Sequence, residues 1–104
     1  MSKTYYLIDN RTKSSIDVIE LGEEDLSIIN NIHNFFNVQE IIKEIKKGVL
    51  LLIEDNEDNN FLNMYKKFSE NNDHDNCKLM LKAVLRNAED YDYINKTLEI
   101  LKLV

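Results

Sequence analysis

Val49-Leu50-Leu51-Leu52-Ile53 is an unbroken apolar run, closed by Gly48 on one side and by Glu54-Asp55-Asn56 on the other. Its length favours a central strand buried on both faces, with a short buried helix as the alternative. Upstream, Thr4-Tyr5-Tyr6-Leu7-Ile8-Asp9 is rich in strand-forming residues, and Asn10 to Ser14 is a polar turn. Ser15-Ile16-Asp17-Val18 alternates before Ile19-Glu20-Leu21 shifts the phase. The two segments predict an antiparallel hairpin with a bulge near Ile19, ended by Gly22.

Between hairpin and apolar run, Leu26, Ile29, Ile32 or His33, and Phe36 recur at helical spacing, with Ile28 and Phe35 widening the stripe. Asn37 followed by Glu40 resembles a capping box, and Val38, Ile41, Ile42 and Ile45 supply the apolar side of a second helix. Lys43, Lys46 and Lys47 load its end, and Gly48 suits the position just beyond it. After the run, Phe61, Leu62, Tyr65 and Phe68 mark a third helix, and Ser69 to Asn76 reads as a polar loop. Cys77, Met80, Leu81, Val84, Leu85 and Ala88 mark a fourth, and Ile94, Leu98 and Leu101 a fifth. The expected fold is α+β, in one domain over residues 1–104. An N-terminal β-hairpin plus one central strand forms a small sheet, packed by about five helices in the order ββααβααα.

Hydrophobic residues make up 43% of the chain and charged residues 31%, an ordinary globular balance. No apolar run approaches the roughly 20 residues that span a bilayer, and the N-terminal stretch lacks the apolar core of a signal peptide. The single cysteine, Cys77, allows no disulfide framework, so a reducing, cytoplasmic setting is expected. A net charge of −6 argues against nucleic acid or anionic lipid as a partner and is compatible with a basic protein. Absent proline, scarce glycine and abundant asparagine, lysine and isoleucine suggest AT-rich coding.

Val49 to Glu57 resembles the first strand and acidic pair of two-component receiver domains, in which the carboxylates hold Mg²⁺ beside a phospho-accepting aspartate. In that family this strand opens the domain, whereas here no later apolar strand ends in an aspartate or leads to the required lysine. Calcium loops fail as well: from Asp55 the sixth residue is Asn60 and the twelfth Lys66, and from Asp73 the sixth is Lys78. His74 and Cys77 have zinc-like spacing, but the other histidine, His33, lies on a distant helix, so no metal or other cofactor is expected. Two distant glycines exclude a phosphate-binding glycine loop. With no nucleophile beside an oriented base, the chain is not expected to be an enzyme.

The acids cluster where helices are expected to begin: Glu23-Glu24-Asp25, Glu57-Asp58, Asp73 with Asp75, and Glu89-Asp90 with Asp92. Basic residues gather at expected helix ends: Lys43, Lys46 and Lys47, Lys66 and Lys67, Arg86, and Lys102. Both placements complement the helix dipole. Glu54 and Asp55 follow a strand instead, so negative charge there exceeds what capping requires.

In size, charge and composition the chain resembles immunity proteins, which neutralise basic bacterial toxins such as nucleases by stoichiometric complex formation. That resemblance implies acidic loops filling a basic substrate cleft, with aromatic anchors. The expected contact residues are Glu54, Asp55, Glu57 and Asp58, then Asp73, Asp75, Asp90 and Asp92, with Tyr91 and Tyr93 as anchors. A phage or viral protein that blocks a host defence factor by charge mimicry is a related alternative. A structural or regulatory module is another, self-associating as a homodimer through the C-terminal helix face of Ile94, Leu98 and Leu101.

Overall fold

Strand β1 (Thr4–Asp9) has a partner on each side, antiparallel β2 (Asp17–Gly22) and antiparallel β3 (Leu50–Glu54), in the sheet order β2-β1-β3. The computed structural model describes residues 3–12, 14–31 and 37–103. Helices α1 (Glu23–Asn30) and α2 (Val38–Lys46) lie between β2 and β3 in the chain. Helices α3 (Asn60–Glu70), α4 (His74–Arg86) and α5 (Tyr93–Ile100) follow β3, which gives the expected α+β order ββααβααα.

The strand alternation divides two cores across the sheet. Tyr6, Ile8, Leu51 and Ile53 face Leu62 of α3, Leu81 and Val84 of α4, and Tyr93. Tyr5, Leu50 and Leu52 face Ile41 and Ile45 of α2 and Leu98 and Leu101, with Leu26 and Ile29 of α1 at the margin. The sheet is thus a middle layer with helices on both faces, which is why β3 has no polar residue before Glu54.

That burial does not make β3 the middle strand in pairing order. It is an edge strand whose free side is covered by α5, so its outward main-chain groups have a covering element. Pairing of β1 with β3 through Asp55 N–H to Thr4 C=O and Asn10 N–H to Val49 C=O turns the alternate residues Leu50, Leu52 and Glu54 outward. At Leu52 the Thr97 hydroxyl closes the edge: it accepts from the Leu52 N–H at 2.9 Å and donates to the Leu52 C=O at 3.2 Å. Thr97 is fully buried.

Several local expectations change. The hairpin register runs unbroken from Thr4↔Gly22 to Asp9↔Asp17, so there is no bulge at Ile19; the phase shift is met by leaving Ile19 half exposed. Ile28 does not widen the buried stripe of α1 and is 69% exposed, whereas Ile32, His33, Phe35 and Phe36 lie outside the described residues. Asn37 caps α2 through the Gln39 N–H, without a reciprocal bond from Glu40. Beyond α2, Gly48 at φ +74° donates to Ile45 C=O while Val49 N–H reaches Glu44 C=O. That double closure needs a left-handed residue and aims the chain straight into β3. The expected loop from Ser69 to Asn76 is shorter, because α3 runs to Glu70 and α4 starts at His74, capped by Asp73.

Leu98 and Leu101 are buried in the core of this same chain, so the C-terminal helix face offered for self-association is already occupied. Among the described residues, no helix is long and apolar enough to cross a membrane.

Candidate functional site

Where β3 ends, an open cleft of about 420 Å³ forms between its outer edge, the segment leading into α3, and the exposed side of α5. Glu54, Asp58, Tyr91 and Tyr93 all line it, together with Asn56, Asn59, Phe61, Lys96 and Glu99. Two stretches distant in sequence, residues 52–61 and 91–100, are therefore brought to one place.

The entry segment is held by amide chemistry rather than by glycine. Asn56 accepts the Asp58 N–H at 2.9 Å, the Asn63 amide donates to the Glu57 carbonyl, and Asn59 caps α3 by accepting from Leu62 N–H. The other end of the Asn59 amide donates to the Tyr93 hydroxyl at 3.0 Å. Asn59 thereby ties the start of α3 to the start of α5. Tyr93 is 8% exposed, and burial pushes its phenol above the usual value, partly offset by the Asn59 bond. Tyr91 stacks on Tyr93 with centroids 5.6 Å apart and meets Phe61 edge-on at 5.5 Å, yet stays 51% exposed. Tyr91 is thus the common neighbour of the other two rings and the most exposed of the three.

Of the remaining expected contacts, Asp55 leaves the group. The strand alternation turns it to the opposite face from Glu54, where the Lys66 ammonium donates to both its oxygens at 2.9 and 3.0 Å. That pair holds Lys66 above its ordinary value. Glu54 stays exposed, with only a loose contact to Lys3 at 3.6 Å. Glu57 is exposed beside the cleft but does not line it. Glu57 and Asp58 precede the Asn59 cap and lie outside the first turn of α3, so the dipole does not account for them. Asp90 and Asp92 are exposed in the turn before α5, and that helix has no acid in its first turn. Asp92 sits at φ 58° and accepts from the Asn95 amide instead of capping a backbone N–H.

Asp73 and Asp75 do not line the cleft. Asp73 is occupied as the cap of α4, bonded to the Asn76 N–H and side chain, and Asp75 lies in that helix's first turn. Both sit past the far end of α3, an eleven-residue helix and so about 16 Å of rise from the cleft.

Asn59, Phe61, Lys96 and Glu99 were not among the expected site residues. Phe61 reads as core from its spacing. Lys96 and Glu99 fall on the polar side of α5, where sequence alone does not distinguish a cleft wall from open surface. Among the described residues no three His, Cys, Asp or Glu side chains converge closely enough to hold a metal ion. Cys77 is buried, its thiol directed at the Tyr65 carbonyl at 3.7 Å, and burial pushes it above the usual thiol range. No family model, curated protein or solved structure matches this chain.

Proposed function

We propose that this chain is a non-catalytic binding protein that forms a stoichiometric complex with a basic protein in the cytoplasm, as an immunity protein does with a toxin. The observation that carries the reading is the convergence of Glu54, Asp58 and the half-exposed Tyr91 around one cleft. Exposed carboxylates raise the encounter rate with a basic surface, and an aromatic ring fixed on one side by its neighbours loses little entropy on burial. Glu57, Asp90 and Asp92 extend the acidic surface around the cleft. Occupying the partner's own anion-binding cleft with these groups blocks its substrate without any chemistry on this side.

The test is co-expression with the basic product of an adjacent gene, followed by native mass spectrometry and binding kinetics in rising salt. A one-to-one complex is expected, with association slowing as salt screens the charges. Glu54→Lys with Asp58→Lys should weaken it by about a hundredfold, whereas Asp73→Asn with Asp75→Asn should leave it within about twofold. No complex, or one indifferent to the first pair, overturns the reading.

A further inference from the structure

The lining of the cleft narrows the choice of basic partner to one kind of side chain, an inference that rests on the proposed complex with a basic protein. That lining carries three carboxylates, Glu54, Asp58 and Glu99, against one ammonium, Lys96. These acids come from three different places in the fold, the end of β3, the approach to α3 and the outer side of α5. A divergent set of acceptors suits an extended cation better than a compact one. Beside them stands the Phe61–Tyr91–Tyr93 cluster, whose central ring, Tyr91, is half exposed. Aromatic rings attract a planar guanidinium through the electrostatics of their faces, and arginine has five donors to distribute among separate carboxylates.

The edge of β3 adds a second element. Thr97 closes the edge at Leu52, and the next outward residue, Glu54, lies in the cleft lining with its N–H and C=O turned the same way. A peptide main chain can pair there. A cleft of about 420 Å³ has room for one long side chain and the backbone on either side of it.

We infer that the cleft is a socket for an arginine side chain carried on an extended segment of the partner. Its guanidinium rests against Tyr91 with Glu54 and Asp58 as counter-charges, and its main chain meets the outward edge of Glu54. Lys3 gives way, because its contact with Glu54 is long and solvent-exposed on both sides.

The experiment titrates the full chain with acetyl-Gly-Arg-Gly-amide and with its lysine and citrulline counterparts at low salt, following backbone amide and tyrosine ring resonances by NMR. Saturable shifts at the Glu54 amide and the Tyr91 ring are expected with the arginine peptide. The lysine peptide should bind about threefold or more weakly, and citrulline, which has the shape without the charge, should leave these signals still. Glu54→Gln with Asp58→Asn should lower the arginine affinity about tenfold, and Tyr91→Leu about threefold, with the remaining amide spectrum confirming an intact fold. Equal binding of arginine and citrulline, equal binding of arginine and lysine, or shifts confined to another surface each overturn the socket. These outcomes are separate from the parent reading: a complex that forms through Glu54 and Asp58 but ignores arginine-to-lysine changes in the partner sinks only the socket. Absence of any complex sinks the parent.

Discussion

The two edges of the sheet are managed in opposite ways. The β3 edge is flanked by α5, and one buried hydroxyl, that of Thr97, serves both main-chain groups of Leu52. Among the described residues no further strand lies beside the β2 edge, and the alternation of the β1–β2 ladder turns Val18 and Glu20 outward. Exposed charges at Asp17 and Glu20 guard it instead. Unpaired edges invite other strands, and charged side chains are one common defence. One edge is thus protected by covering and the other by charge, and the cleft opens where the covering stops.

The largest expected effect breaks the covered edge. Thr97→Val keeps the shape but leaves the Leu52 N–H and C=O buried without a partner, so unfolding free energy should fall by about 2–4 kcal/mol. Thr97→Ser retains the hydroxyl and should cost only about 1 kcal/mol for the lost methyl. Chemical denaturation measures both, and equal losses would refute the role given to the hydroxyl. Next comes the entry to the same strand: Gly48→Ala places a Cβ at φ +74° and should cost about 1–2 kcal/mol, although the nearest neighbour, Ala88 Cβ, is 3.7 Å away and offers no clash.

The guarded edge should respond differently. Asp17→Thr with Glu20→Thr is expected to change stability by less than about 0.5 kcal/mol while promoting self-association, measurable by sedimentation. A variant that stays monomeric would show that charge is not what protects β2.

A further modest effect concerns the turn between β1 and β2. Arg11 donates from Nε and Nη2 to the two Asp9 oxygens at 2.9 and 2.8 Å, and its N–H donates to the same carboxylate. These bonds hold the Asp9 carboxyl below its ordinary value. Its contribution is therefore present above the unfolded-state value, about 4, and is lost as pH falls through the lower folded value. The pair is partly exposed, so Asp9→Asn should remove no more than about 1 kcal/mol at neutral pH and flatten the acid limb of a pH–stability profile.

What was legible in the chain was what local chemistry dictates. The apolar run of β3 and the Asn37 and Gly48 ends of α2 act over a few residues, and all appear where their side-chain types require. The edge position of β3 was not legible, because a covering helix and a neighbouring strand bury an apolar run equally well. The acids Glu57 and Asp58 looked like a first turn because Asn59, one residue later, is an equally good cap and won the position. One missed residue did leave a signal: Thr97 interrupts the Ile94–Leu98–Leu101 stripe, and a hydroxyl on a buried face needs a partner. The candidate residues separate by position. Glu54, Asp58, Tyr91 and Tyr93 line one cleft, while strand alternation turns Asp55 away from it and Asp73 caps α4.

The sheet order also fixes a sequence of events during synthesis. β1 is the middle strand, yet it precedes both its partners in the chain. β2 follows after a short turn and closes one side by a local hairpin, whereas β3 emerges only after the whole of α1 and α2. Translation proceeds at roughly 5–20 residues per second, so the second side of β1 stays bare for seconds, with Tyr6 and Ile8 uncovered. During that interval the nascent chain is most open to chaperones and to wrong pairing. Slowed translation across α1 and α2 lengthens it.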